Sequence, residues 1–157
     1  METSGIQERP LDDGELEELR QLSEDGIEYI CGLVDNLPTN LNAEILVRGI
    51  RSAVDAMREG RAGSAYEDLE QVAYAFGSLW GDQVKNELHW DWIYLDCGLE
   101  GYAIASPDRS IVNFPHHYIY RIISDPTQDN SIALLFNMLR AGRLPNAVVP
   151  RSYTIFH

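Results

Sequence analysis

Apolar residues recur at a helical spacing near the start of the chain. One set lies about three or four residues apart with acids between its members, which predicts an amphipathic helix; its members are Leu16, Leu19, Leu22, Ile27, Ile30 and Val34. Gly26 is a candidate break in this helix. A second stripe follows Pro38 and is formed by Leu46, Ile50, Ala53 and Met57. Gly60 and Gly63 predict its end, because glycine commonly terminates helices.

A third helix is predicted to begin at a capping box. Residues 64–67 read Ser-Ala-Tyr-Glu, a pattern in which the serine and glutamate side chains satisfy each other's backbone donors. The positions that then face the core are Tyr66, Leu69, Ala73, Phe76 and Trp80. Residues 12–89 are therefore expected to be mainly helical, whereas residues 1–11 carry no periodic pattern and are expected to be loose.

The period changes from helical to alternating near Trp90. Ile93, Leu95 and Cys97 fall on one face of a predicted strand, and Trp92, Tyr94 and Asp96 fall on the other. Further strands are predicted at residues 102–105 and 110–114, because Gly98, Gly101 and the Pro107-Asp108 pair mark turns around them. These three segments predict an antiparallel meander.

The last part of the chain predicts short elements around this meander. Pro115 suits a first helical position and predicts a helix through Ile123, which Pro126 ends. A final helix is predicted from Ile132, Leu135, Phe136 and Leu139, with Gly142 just beyond, and residues 152–156 predict an edge strand. Helices followed by strands without βαβ alternation indicate an α+β fold. We expect one domain of 157 residues, with a helical N-terminal half packed on a small antiparallel β-meander and with sheet plus helices over residues 90–157.

Charge narrows the choice of partners. The chain carries 25 acidic and 12 basic residues, a formal charge of −13, and residues 1–30 hold ten acids and two arginines. Such a charge repels phosphate backbones and anionic lipid headgroups, so we expect no nucleic-acid and no membrane partner. The acids of the first helix are a candidate docking surface for a basic protein, and the alternative is a solvated face that keeps the protein soluble; these acids are Glu15, Glu17, Glu18, Glu24, Asp25 and Glu28.

The middle of the chain carries a family resemblance. The matching stretches are Phe76-Gly77-Ser78-Leu79-Trp80-Gly81-Asp82, Leu88-His89-Trp90 and Ile111-Val112-Asn113-Phe114-Pro115. In this order they resemble a family of uncharacterised bacterial proteins, domain of unknown function 3806, over residues 72–141. The resemblance implies a bacterial source and no known activity, and Arg121 stands where that family has a basic residue after the Phe-Pro helix start. Residues 1–71 lie outside it.

The two cysteines and the N-terminus indicate a cytoplasmic setting. Cys31 and Cys97 lie in apolar runs, where free cysteine usually behaves as a small core residue, and we expect both to be unpaired. A single disulfide between them is the alternative. Residues 1–10 lack the basic and apolar regions of a signal peptide, and no apolar run approaches the length of a membrane span.

The sequence holds no complete catalytic or metal-binding pattern. His116 and His117 are adjacent, so on a helix their side chains point about 100° apart and cannot chelate one ion together. Asp91 and Asp96 lie five residues apart on a strand and point to opposite faces. We therefore expect no enzyme activity, no metal and no cofactor. A hydrolase ranks below the binding functions.

The strand face that carries Trp92, Tyr94 and Asp96 is the second candidate interface. Aromatic residues beside an acid are typical of binding hot spots, and the alternative is burial on both faces of the sheet. Together with the acidic helix, this face favours a non-enzymatic protein-binding module, most simply an immunity-type inhibitor that docks a basic toxin or effector. The alternative is a housekeeping accessory or scaffold protein, which could act as a homodimer.

Overall fold

The computed structural model describes residues 5–60, 68–143 and 149–156. The helices are α1 (Asp13–Leu33), α2 (Ala43–Arg58), α3 (Leu69–Leu88), α4 (Pro115–Ser124) and α5 (Ile132–Arg140). The strands are β1 (Gln7–Pro10), β2 (Asp91–Asp96), β3 (Glu100–Ala105), β4 (Ile111–Asn113) and β5 (Thr154–Ile155). The predicted α+β class and the β2-β3-β4 meander are confirmed.

Within the described residues the sheet has five strands in the order β1-β2-β3-β4-β5. The first four pair in antiparallel fashion, whereas β5 pairs with β4 in parallel. The expectation that residues 1–11 are loose is wrong for Gln7–Pro10, which pair with β2. This edge strand is exposed along its length and contains Glu8, Arg9 and Pro10, which are features that discourage pairing with another chain.

The helices cover one face of the sheet, and α3 lies at the centre of their layer. Its residues Phe76 and Trp80 are fully buried and pack with Ile50 of α2, Ile119 of α4 and Phe136 of α5 in one large cluster. Each such side chain contributes roughly 1.5–3 kcal/mol when it leaves water. The apolar stripes that predicted these helices therefore form one shared core.

Two features of the helices differ from the sequence predictions. Gly26 lies within α1 and does not break it. A Cβ at this position would lie 2.9 Å from the Ala75 carbonyl oxygen, so the glycine allows α1 to pack closely against α3. The capping box at residues 64–67 lies outside the described residues, and α3 begins after Asp68, whose side chain accepts from the Gln71 amide at 3.1 Å.

Both faces of the sheet are apolar. Trp92 and Ile104 face the helices, whereas Ile93 and Leu95 face the other way and belong to a second, smaller buried cluster. A polar cluster lies on that same far face. Arg109 donates two hydrogen bonds of 2.9 Å to Glu8 and one of 2.8 Å to Asp91, and the Tyr153 hydroxyl donates to Glu8 at 2.7 Å. These contacts join β1 to the β3–β4 turn and to the segment before β5.

The two cysteines are free and differ in exposure. Cys31 is exposed on α1, which corrects the expectation that both cysteines behave as core residues. Its neighbour Ile30 takes the core position, and the next residue along a helix points about 100° away from it. Cys97 is half-buried beside the second cluster, and burial raises the pKa of its thiol. The two thiols are therefore expected to react at different rates.

A thiol titration checks this difference. We expect native protein to react with a disulfide reagent in two phases, the faster belonging to Cys31. Cys31→Ser should remove the fast phase and leave the slow one. Denatured protein that has never been reduced should titrate both thiols, and finding none would show that the chain carries a disulfide.

Within residues 5–60, 68–143 and 149–156, no helix combines the length and the apolar character needed to cross a lipid bilayer.

Candidate protein-binding site

The exposed side of α1 carries most of the acids that the sequence analysis selected. We call Glu17, Glu18, Glu24, Asp25 and Glu28 the acidic face. Arg20 lies among them and forms ion pairs with Glu17 and Glu24. Exposed ion pairs of this kind are weak and screened by salt, so they leave these carboxylates free to exchange partners. Five carboxylates against one guanidinium leave the acidic face strongly negative.

Glu15 has a structural task that the other α1 acids lack. It is the third residue of α1 and completes a capping box with Asp12: it accepts from the Asp12 amide at 3.0 Å, and its own amide donates to the Asp12 side chain at 2.8 Å. Arg9 of β1 also forks onto its carboxylate with two bonds of 2.8 Å. The Arg9 guanidinium holds the Glu15 pKa at about 2. Glu15 therefore joins β1 to α1.

The sequence left the face of Trp92 as either an exposed interface or a buried face, and for Trp92 the structure shows burial. Its side chain is only 7% exposed and packs against Gly81 of α3, where an added Cβ would overlap the indole ring. The indole N–H donates to Asp82 Oδ1 at 2.9 Å, and Ser23 of α1 donates to the other oxygen of the same carboxylate at 2.5 Å. Trp92 therefore belongs to the α1–α3–β2 core.

Tyr94 and Asp96 continue the same strand face toward solvent and are both half-buried. The Tyr94 hydroxyl donates to Glu100 of β3 at 2.6 Å, and this bond raises the pKa of the phenol. The Arg9 guanidinium lies 4.4 Å from the centre of the Tyr94 ring. Asp96 is the cross-strand partner of Glu100 and accepts from the Gly98 amide at 3.3 Å. This end of the sheet is therefore both aromatic and acidic.

A cavity of about 540 Å³ lies where α1, α3, the β2–β3 hairpin and the start of α4 meet. We call it the tyrosine cleft. Its lining residues are Glu18, Leu22, Gln71, Tyr74, Tyr94, Glu100, Gly101, Tyr102, His116 and His117. Glu18 belongs also to the acidic face, so the cleft opens directly beside that face. The structure thus joins Glu18 and Tyr94, which the sequence analysis had placed in two separate candidate surfaces.

The cleft has a negative field. Glu18 and Glu100 line it, and no lysine or arginine occurs among the lining side chains that the structure describes. The Tyr102 hydroxyl donates to Glu18 at 2.7 Å, and burial together with Glu18 raises the pKa of that phenol. Burial and the nearby Glu70 raise the pKa of Tyr74 in the same direction. All three cleft tyrosines are therefore neutral donors at pH 7.

His116 closes the inner end of the cleft as a neutral imidazole. It is 8% exposed, and its Nε2 lies 2.8 Å from the Ser78 hydroxyl. Burial, aided by the neighbouring His117, lowers the His116 pKa to about 4. Ser78 itself is fully buried, so its hydroxyl has no path to a substrate in this structure. The pair is a packing contact that supports the cleft wall.

The two histidines do not share a ligand position. His116 is buried and His117 is exposed on the next position of α4, as their adjacent numbering predicts. Across the part of the chain that the structure describes, no group of three or more His, Cys, Asp or Glu side chains is placed to hold a metal ion.

Comparisons of the chain with protein-family models, with curated proteins and with solved structures found no match. The resemblance to the uncharacterised bacterial family therefore stays a prediction.

Proposed function

We propose that the protein is a non-enzymatic binding module that docks a basic protein through the acidic face and the tyrosine cleft. One observation carries the proposal: a strongly negative helix face continues into a tyrosine-walled cavity, with Glu18 common to both. Tyrosine anchors beside a charged rim are the usual composition of a protein-binding hot spot.

The charge arrangement supports a basic partner in two ways. The acids of α1 give the surface a long-range field, which speeds encounter with a positive surface and suppresses negative ones. The cleft then supplies aromatic area that excludes water, and such area slows dissociation. An acidic face that only keeps the protein soluble needs no cavity beside it. Docking uses both the negative charge of the helix and the adjoining cleft.

We propose an immunity-type inhibitor as the particular role. Bacterial toxins that act on nucleic acid or on anionic cell-wall polymers carry basic substrate-binding surfaces, and an acidic protein complements such a surface directly. A cytoplasmic location belongs to the same proposal, and the free thiols of Cys31 and Cys97 fit a reducing compartment.

A scaffold or accessory protein is the second candidate, and one observation favours it. Leu134 on the outer side of α5 is a large apolar side chain that is 61% exposed. A self-association surface would more readily form there than on α1, since two copies of the acidic face repel each other. This candidate predicts a concentration-dependent mass that Leu134→Gln abolishes.

Charge reversal on α1 tests the docking proposal. The products of genes that neighbour this one would first be screened for capture by the purified protein. For a captured basic protein, Glu24→Lys, Asp25→Lys and Glu28→Lys together should lower the association rate constant by about tenfold at low salt. Its salt dependence should flatten, and the dissociation rate should change much less. Stopped-flow measurements at several ionic strengths provide both rate constants.

The matched control reverses three exposed acids away from α1: Glu44→Lys, Glu87→Lys and Asp129→Lys. It changes the net charge by the same amount and should lower the association rate constant far less. Equal slowing by the two triple variants would show that only net charge matters. Failure of every neighbouring gene product to bind would contradict the immunity-type role.

A further inference from the structure

The tyrosine cleft offers aromatic rings in an arrangement that suits a cation. Tyr94 and Tyr102 are cross-strand neighbours whose rings lie 6.1 Å apart at 83°, so they meet edge to face. Tyr74 of α3 lines the cleft from the helix side and is 40% exposed. Ring faces carry negative potential, and a cation within about 6 Å of a ring centre is attracted by it.

Two carboxylates flank these rings on different elements. Glu18 belongs to α1 and Glu100 to β3, and each accepts one phenolic hydrogen bond, from Tyr102 and Tyr94 respectively. An ionised carboxylate offers about four acceptor positions, so each retains capacity after that bond. The phenols also hold the carboxylates in place, which lowers the entropic cost of binding a planar donor between them.

Arg9 already shows this kind of contact at the border of the cleft. Its guanidinium lies over the Tyr94 ring and forks onto Glu15, which lies outside the cleft lining. One guanidinium, one tyrosine ring and one glutamate thus form a unit within the chain. The cleft repeats the same components with Glu18, Glu100 and Tyr102, and none of its described lining residues is a lysine or arginine.

We propose that the tyrosine cleft binds a guanidinium group, presented as an arginine side chain of the basic partner; the identity of that carrier rests on the proposed function. Arginine fits better than lysine because its planar donors match two carboxylates and its face stacks on aromatic rings. The cavity of about 540 Å³ is within the usual range for ligand pockets, so it can take an arginine side chain together with water. An anion is disfavoured by the two carboxylates.

A small blocked amino acid tests the cleft without the partner. N-acetyl-arginine amide would be titrated into the full chain at constant ionic strength, with the backbone amide of Gly101, a lining residue, as the NMR reporter. We expect saturable shifts with a dissociation constant on the order of millimolar. Blocked citrulline has nearly the same shape and no charge, and it should cause no saturable shift. Blocked lysine should bind more weakly than arginine.

Two paired variants locate the binding. Glu18→Gln with Glu100→Gln keeps an acceptor for each phenol and should weaken arginine binding by about tenfold. Glu44→Gln with Glu87→Gln removes the same charge from exposed positions outside both the acidic face and the cleft, and it should change arginine binding less than about twofold. Thermal unfolding of each pair checks that the fold is intact. Equal binding of citrulline, absence of saturable shifts, or equal weakening by both pairs would overturn the proposal.

The same variants separate this inference from the proposed function. A captured basic protein whose affinity is unchanged by Glu18→Gln with Glu100→Gln would overturn the arginine inference while the docking function stands. Saturable arginine binding in the cleft, with no basic protein captured, would overturn the docking function and support the guanidinium site.

Discussion

Replacing Trp92 with alanine is expected to lower the free energy of unfolding by about 3–5 kcal/mol. The indole is buried against Gly81, stacks at 6.3 Å on His116 and donates to Asp82, so truncation leaves a cavity and removes a buried hydrogen bond. Urea unfolding followed by circular dichroism measures the loss. Trp92→Phe keeps one ring and loses the N–H donor, and it should cost less than the alanine variant.

Tyr94→Ala is the matched comparison, because Tyr94 is two residues away on the same strand face and only half-buried. It should cost about 1 kcal/mol of stability. If Tyr94 is a binding anchor, its loss should raise the dissociation rate of a partner by an amount equivalent to about 2 kcal/mol. A stable Trp92→Ala protein that loses only partner binding would contradict the core position of the indole.

Stability is expected to fall by about 3 kcal/mol between pH 7 and pH 4 because of His116 alone. Its pKa is about 4 in the folded protein and near 6.5 when unfolded, since burial disfavours the charged ring. As the pH falls below 6.5, the unfolded chain gains a proton that the folded protein does not, and this favours unfolding. The rings of Tyr74, Trp92 and Tyr102 pack around His116 and keep the imidazole out of water.

Between pH 6.5 and pH 4.5 the loss of stability should come mainly from His116. Glu15 also has a lowered pKa, of about 2, but its contribution to stability is lost only as the pH falls below about 4.5. His116→Gln keeps a polar partner for Ser78 and should flatten the dependence in that window, whereas the exposed His117→Gln should preserve most of it. Urea titrations at pH 7, 6 and 5 measure the slopes. A wild-type slope near zero would contradict a buried neutral His116.

Most helices and the β-meander could be predicted because their patterns are local. The apolar stripes of α2 and α3 and the alternation from Ile93 to Leu95 are dictated by which side of each element meets the core. β1 could not be predicted in this way. Gln7–Pro10 has no apolar alternation, and backbone pairing together with the Glu8–Arg109 contact from distant sequence holds it in place.

The strand face of Trp92 shows a different limit of sequence patterns. Alternation shows which residues share a face, but both faces of β2 are apolar, so it does not show which one meets the helices. The docking hypothesis assumed that the face of Ile93 meets the core and that the face of Trp92 points outward. In the structure Trp92 meets α3, and Ile93 belongs to the smaller cluster behind the sheet.

Only part of the tyrosine cleft could be predicted from the sequence. Glu18 and Tyr94 were selected for their charge and aromatic character, but nothing local places them in one cavity. Tyr102 and Glu100 had a usable signal, because a tight turn after Asp96 sets them opposite Tyr94 and Asp96 in the hairpin. Tyr74 carried no such sequence signal, because its place in the cleft depends on how α3 crosses the sheet.

The position of β1 ahead of β2 in the chain has a consequence for synthesis on the ribosome. Glu8 precedes its partner Arg109 by 101 residues, a delay of about 5 to 20 seconds at usual elongation rates. Within that interval α1 and then α2 are completed, and they can fold against each other while Gln7–Pro10 waits. When β2 emerges, the strand that covers its outer edge is already present. The nascent hairpin can therefore pair that edge within its own chain and present it less to a neighbouring nascent chain.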